Sequence, residues 1–257
     1  MIFGLFGHKK RGISGETDAE GEGSKAYLPF QTDLHSHLIP GIDDGSPSME
    51  RSLKLIEGLA DMGYRKIITT PHVMADTYRN STATILEGVE KLRQELRSRG
   101  VEVRLEAAAE YYMDEELARR LREKDILRVG NEYLLFETSY YAEPLNLEET
   151  VYEIAASGYR PMLAHPERYR YVKEYEKYYG RLRELGCTFQ VNINSLGGYY
   201  GREAKEKAHW LAKRGWINFL GSDLHGPRQL EFLRQTIGSG ILKKVVEENL
   251  IFNDRLI

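Results

Sequence analysis

The sequence predicts an α/β fold in which seven parallel strands, each followed by a helix, close into a barrel. Three observations carry this. Short apolar runs alternate with amphipathic runs from Leu28 to the C-terminus. Nearly every apolar run ends in a histidine or a carboxylate, as in Asp33-Leu34-His35-Ser36-His37, Phe136-Glu137 and Ala164-His165. The turn after the first run offers His35-Ser36-His37, where an open doubly wound sheet would offer a glycine-rich phosphate loop. Ligand-type residues at the ends of so many strands converge only if the sheet closes.

The elements follow in order. Residues 30–34 form a short first strand. Ser48 opens a helix with Leu53, Ile56, Leu59 and Ala60 at helical spacing, closed by Gly63. Residues 66–70 form a second strand. Residues 81–99 form a long helix whose stripe is Ile85, Val89, Leu92 and Leu96, stopped by Gly100. Residues 101–108 alternate as a third strand, and residues 114–122 form a helix. Residues 133–137 are the fourth strand, followed by a helix over 147–156 closed by Gly158. The fifth strand (160–164) leads to a helix over 172–185, and the sixth (188–192) to a helix over 202–214. A seventh strand (216–220) precedes two C-terminal helical stretches.

Bulk properties bound the function. A chain of 257 residues, 41% hydrophobic and 29% charged, has the composition of a soluble globular protein. Residues 28–257 read as one domain. Residues 12–26, rich in Gly, Glu, Ser and Asp, extend a disordered leader over 1–27. The start of the chain, from Met1 to Arg11, places its charges after a short apolar patch, so it reads as a frayed tail and not a signal peptide, with a peripheral contact to membrane or partner as the alternative. A formal net charge of -3 speaks against a nucleic-acid partner. No apolar run approaches the ~20 residues that cross a bilayer, so no stable membrane insertion is expected. A single cysteine, Cys187, leaves no internal disulfide and no thiolate zinc site, and fits a reducing, cytoplasmic location.

The polar strand ends carry the chemistry. In an extended segment His35 and His37 point to the same side, so both rings can face one ion, and Asp223 and His225 repeat that spacing. Imidazole with carboxylate suits manganese, iron and zinc. His72 follows Pro71 at a strand end. Glu110 follows three alanines that leave room for an ion. Glu137 and His165 each close an apolar strand, where an unpaired charge is costly. Asp43-Asp44-Gly45 reads as a turn, yet a carboxylate six or seven residues after His37 can fold back onto the same cluster. So many ligands exceed one ion and suit two or three, which activate water and neutralise phosphoryl oxygens. Arg168 and Arg228, each three residues after a histidine, are positioned to grip phosphate. The chain has 17 tyrosines; those at 169, 171, 175, 178, 179, 199 and 200 are read as packing, with an aromatic substrate rim as the alternative. Cys187 has Ile193 six residues on, so it forms no Cys-x5-Arg phosphate cradle.

These motifs resemble the bacterial capsule and exopolysaccharide tyrosine phosphatases (CpsB/CapC-like) of the polymerase and histidinol phosphatase superfamily. The likeness runs from Asp33-Leu34-His35-Ser36-His37 and its Ile-Pro-Gly-Ile-Asp-Asp-Gly continuation through Thr70-Pro71-His72, Ala109-Glu110-Tyr111-Tyr112, Phe136-Glu137, Ala164-His165-Pro166-Glu167-Arg168-Tyr169 and Ser222-Asp223-Leu224-His225. It implies a distorted seven-stranded (β/α) barrel with three divalent ions, manganese being the usual metal. One ion would be held by His35, His37, Glu110 and Asp223. A second would be held by Glu110, Glu137 and His165, with Glu110 bridging, and a third by Asp44, His72 and His225. The choice of Asp44 over Asp43 comes from the resemblance alone, as does the match of Arg168 to a phosphate-gripping arginine. The implied substrate is the phosphorylated tyrosine tail of a membrane tyrosine autokinase, cleaved by metal-activated water without a covalent intermediate. Two rivals stay open: a phosphatase of small phosphomonoesters such as histidinol phosphate, and a non-catalytic, metal-stabilised interaction module.

Overall fold

The first and last strand lines of this protein meet through a parallel bridge between Ser36 and Leu224, with Asp223 N–H donating to the His35 carbonyl at 2.8 Å and His37 N–H to the Leu224 carbonyl at 3.0 Å. The computed structural model describes residues 28–256. The expected leader over 1–27 lies outside the described residues.

Nine strand segments are present among the described residues: β1 (Thr32–Asp33), β2 (Lys66–Thr69), β3 (His72–Val73), β4 (Arg104–Ala107), β5 (Glu110–Tyr112), β6 (Tyr133–Glu137), β7 (Arg160–Ala164), β8 (Thr188–Asn192) and β9 (Phe219–Gly221). All pair in parallel, in one sheet of order β1-β2-β4 and another of order β3-β5-β6-β7-β8-β9. β3 continues the line of β2 past Pro71, which has no N–H to give a ladder. β5 likewise continues β4. Ala108 N–H to Thr69 O and Glu110 N–H to Pro71 O carry the pairing across the interruption.

The sheet curls because its concave side is filled. Leu34, Ile68, Ala108, Leu135, Met162 and Phe219, from six strand lines, belong to one buried cluster. A second, larger core lies between the strands and the helices α1 (Met49–Met62), α2 (Thr82–Ser98), α3 (Glu115–Glu123), α4 (Leu147–Ala156), α5 (Tyr175–Glu184), α6 (Ile193–Gly197), α7 (Arg202–Lys213), α8 (Pro227–Gly238) and α9 (Ile241–Glu248). β6 and β8 are buried along their whole length, as expected of parallel strands covered on both faces. Caps fix several helix ends. Ser48 accepts from Arg51 N–H before α1, Gly63 closes it at φ 110°, and Asp114 accepts from Glu116 and Leu117 N–H before α3.

Four elements start two or three residues later than the sequence suggests. The third strand starts at Arg104 because Val101 N–H still closes α2 onto the Leu96 carbonyl. The seventh starts at Phe219 because Trp216 N–H bonds back to Leu211 and Ile217 N–H to the Asn249 side chain. The first shrinks to two residues, and α5 begins at Tyr175. The short α6 and a 3-10 turn over Pro166–Arg168 have no periodic signature to betray them. No helix among the described residues is long and apolar enough to cross a membrane.

Candidate metal centre

The nine polar residues singled out as ligands all reach one end of the strand lines. His35 and His37 sit on the extended segment after β1, Asp44 on the loop before α1, and His72 and Glu110 open the outer pieces β3 and β5. Glu137 ends β6, His165 follows β7, and Asp223 and His225 follow β9. Two glycines permit the close approach. A Cβ on Gly45 would stand 2.2 Å from the His37 carbonyl oxygen, and one on Gly221 would stand 2.7 Å from the His35 Cβ. One expectation is corrected here. Asp223 is not the first residue of an extended pair, because its φ is 49°, in the left-handed region. His165 is also left-handed, at φ 31°. Side-chain-bearing residues adopt this backbone in only a few per cent of cases, at helix ends, as at Lys124, and at strained or functional sites.

Glu110 is the hub. Its carboxylate lies 3.2 Å from His35 Nε2, 3.4 Å from His37 Nε2, 3.2 Å from His72 Nδ1 and 2.9 Å from His165 Nε2. Asp223 Oδ1 lies 3.5 Å from His35 Nε2 and 3.6 Å from His37 Nε2. Asp44 Oδ1 is 3.4 Å from both His72 Nε2 and His225 Nε2. Glu137 Oε1 is 3.2 Å from His72 Nδ1, and its Oε2 is 3.7 Å from His165 Nε2. Four overlapping groups have ligand atoms within 4.8 Å of one another: His37-Asp44-His72-His225, His35-Glu110-His165, His35-His37-Asp223 and His72-Glu110-Glu137.

The rings are aimed from behind. His35 Nδ1–H donates to Gln190 Oε1 at 2.7 Å and His37 Nδ1–H to Asp43 Oδ2 at 2.8 Å, leaving each Nε2 lone pair toward the cluster. This gives a physical account of the two adjacent aspartates. Asp43 is buried, accepts from His37, Gly45 N–H and His72 N–H, and fixes the loop. Asp44 projects into the open side of the cluster.

Charge is concentrated here. Burial disfavours ionisation of Glu110, but the His35 and His72 imidazoles outweigh it and hold the carboxyl well below its ordinary range. Burial likewise opposes ionisation of Asp223, and His35, His225 and Arg168 reverse it. Burial lowers the His35 pKa, yet Glu110 and Asp223 prevail and hold it at about 9. The same contest, won by Glu110 and Glu137, puts His72 at about 10. Asp43 is disfavoured by burial but held at about 2 by His37.

The donor set fits divalent ions. Both oxygens of Glu110 and His72 Nδ1, which faces them, are buried with no hydrogen-bond partner among the described residues. Orphaned buried acceptors are costly, and a cation satisfies them. Ligands about 2.1 Å from an ion stand roughly 3.0–3.4 Å apart, the range found around Glu110.

Arg168 overhangs this cluster. Its Nη1 donates to Asp223 Oδ2 at 2.8 Å, and its guanidinium lies 4.6 Å from the Tyr140 ring centre and 4.3 Å from that of Tyr200. A cavity of about 360 Å3 opens above the cluster, lined by Arg168 with His72, Glu137, His165, Asp223 and His225 among others. Arg228 does not line it. It lies exposed in the first turn of α8, with no hydrogen bond or ion pair among the described residues, while Gln229, one position on, faces the cavity. The spacing placed Arg228 correctly along the chain but not around the helix.

Residues 31–249 match the family described as Capsular polysaccharide synthesis, CpsB/CapC. The chain belongs to the CpsB/CapC family. The tyrosine-protein phosphatase YwqE of Bacillus subtilis is 28% identical over 204 residues, 79% of this chain and 80% of its own. The tyrosine-protein phosphatase CpsB of Streptococcus pneumoniae is 26% identical over 199 residues, 75% of this chain and 82% of its own. Among solved structures, a chain described with YwqE and CpsB as unique metal-dependent tyrosine phosphatases superposes with a TM-score of 0.76 at 28% identity, covering 82% of this chain and 86% of that one.

This CpsB/CapC chain also uses residues that the sequence reading passed over. Tyr140 had no motif to mark it, and Tyr200 was grouped with packing tyrosines. Tyr169, Tyr178 and Tyr179 are indeed buried, but Tyr200 stacks on Arg168 and its hydroxyl reaches Asp223 Oδ2 at 3.3 Å. Asn192 Nδ2 holds the same oxygen at 2.7 Å. Gln229 ties His225 N–H to the Tyr200 hydroxyl. Cys187 is buried, and burial pushes its thiol up to about 12, so it offers no thiolate near neutral pH.

Proposed function

We propose that this chain is a cytoplasmic, metal-dependent protein-tyrosine phosphatase acting on the phosphotyrosine tail of a membrane tyrosine autokinase that controls capsule or exopolysaccharide synthesis. Its catalytic unit is a single domain over 28–257, a distorted seven-stranded (β/α) barrel. The observation that carries the reading is the Glu110 carboxylate, ringed by four imidazoles within 3.4 Å and left without a hydrogen bond among the described residues.

The ligand sets are His35, His37, Glu110 and Asp223 for one ion; Glu110, Glu137 and His165 for a second; and Asp44, His72 and His225 for a third. Manganese is the leading candidate, with iron and zinc as alternatives. Such ions, when bound, supply Lewis acidity: an activated water at neutral pH and charge neutralisation at phosphorus. The protein supplies the rest. Arg168, held between two tyrosine rings, presents its guanidinium fork to phosphate oxygens and stabilises the charge of in-line displacement. Gln190 and Asp43 keep the His35 and His37 rings in the ligating tautomer. No side chain is required as nucleophile, which agrees with the buried Cys187. Arg228 has no part in this proposal, because Gln229 occupies the inward position of its helix.

The test strips the protein with a chelator and restores manganese, iron or zinc singly, comparing a phosphotyrosyl peptide with histidinol phosphate. Restored hydrolysis with a higher kcat/KM for the peptide is expected. A much higher kcat/KM for the small ester would move the assignment to that substrate class. Failure of a metal-loaded sample to hydrolyse p-nitrophenyl phosphate would leave the interaction module.

A further inference from the structure

Beside the metal centre lies a second hollow of about 430 Å3, which the chemistry above leaves unused. It shares Tyr140 and Arg168 with the centre, so the two spaces adjoin, and it adds Tyr141, Arg170, Tyr200 and Arg202. The walls are tied together: Arg170 N–H donates to the Tyr140 carbonyl at 2.8 Å, and the Arg170 guanidinium lies 5.4 Å from the Tyr141 ring centre.

The charges of this hollow are unevenly committed. Arg168 is engaged by Asp223, and Lys207 is buried against the Tyr169 carbonyl and Glu203. The two acids are also spent inside the fold. Glu167 is buried and accepts from Asn192 N–H and Ser195 Oγ–H, while Glu203 pairs with Lys173 and Lys207. Arg170 and Arg202 remain exposed. Arg170 has no carboxylate partner among the described residues, and Arg202 has only an exposed pair with Glu206 one turn along α7. A chain of formal net charge -3 thus presents two available guanidiniums and an aromatic shelf immediately beside its proposed phosphate site.

We infer that this hollow is a subsite for the peptide chain flanking the phosphotyrosine, and that it selects acidic residues there. The inference rests on the phosphatase reading and deepens it. Tyr140 and Tyr141 give the backbone an apolar surface to lie on, and Arg170 and Arg202 meet carboxylates beyond it. A small ester fills the metal centre and leaves this space empty, so the subsite also separates peptide from small-molecule substrates.

The test uses the full metal-loaded chain, p-nitrophenyl phosphate, and three phosphotyrosyl peptides differing only in flanks of Asp/Glu, Ala or Lys. Acidic flanks should raise kcat/KM about five- to tenfold over Ala, chiefly through KM, and Lys flanks should lower it. The preference should shrink with added salt. Arg170→Glu with Arg202→Glu, both at exposed positions, should invert the order while turnover of p-nitrophenyl phosphate and the thermal midpoint stay near wild type. Equal kcat/KM for the three peptides, or an order unchanged in the double variant, overturns the subsite while leaving the phosphatase standing. Absence of p-nitrophenyl phosphate hydrolysis overturns both.

Discussion

Arg168 donates to Asp223 at 2.8 Å, so the cation above the cluster is docked on a carboxylate that also faces His35 and His37. The pairing holds the guanidinium in place before substrate arrives, and the stack between Tyr140 and Tyr200 keeps its plane fixed. Pre-organisation of this kind concentrates its benefit in the transition state.

Arg168→Ala should therefore lower kcat/KM for p-nitrophenyl phosphate by about 10²–10³ with metal content preserved. Arg168→Lys should recover only part of this, since an ammonium keeps the charge but not the fork. Steady-state kinetics with elemental analysis of the same samples reads both quantities. A loss below about fivefold in the Ala variant would remove Arg168 from phosphate binding.

Ligand loss should be graded by position. His225 contacts Asp44 and stands at the edge of the cluster, whereas Glu110 touches four rings at its centre. His225→Ala should lower bound metal by about one ion per chain, and Glu110→Ala by about two or more, measured by elemental analysis after gel filtration. Identical losses in the two variants would contradict a bridging Glu110.

Metal binding should expel protons. His35 is held at about 9 and His72 at about 10 in the metal-free chain, so both rings carry a proton at neutral pH. An ion takes only the neutral ring, so apparent affinity weakens as pH falls and strengthens as it rises toward 9–10. Calorimetric titration with manganese at pH 7, in buffers of differing ionisation enthalpy, should show net release of protons. Heats independent of the buffer would contradict protonated rings.

What the sequence discloses and what it hides follow from locality. Strand ends such as Phe136-Glu137 and Ala164-His165 announce themselves because a polar group closing an apolar run is a local pattern, and alternation with helices then implies convergence. The clamp of Tyr140 and Tyr200 on Arg168 joins three different loops, so no spacing encodes it. The same holds for Gln190 behind His35 and Asn192 on Asp223. Asp43 and Asp44 are indistinguishable as a dipeptide and opposite in space, one behind His37 and one before His72. Arg228 and Gln229 differ by one helical step, about 100° of rotation, which reverses their roles. The left-handed backbone at Asp223 is a tertiary imposition on a residue that local preference would extend.

That backbone places two of the proposed ligands at odds with the rest of the fold. His165 at φ 31° and Asp223 at φ 49° each hold a conformation that glycine adopts freely and that disfavours a Cβ by roughly 1–2 kcal/mol. Glycine at His165 would relax the turn and delete a proposed ligand in one step, whereas glycine at Asp223 would also leave Arg168 and Asn192 without their carboxylate. Selection for persistence and selection for catalysis thus pull in opposite directions at the His165 codon. A stabilised variant recovered without an activity screen would be drawn toward losing the site.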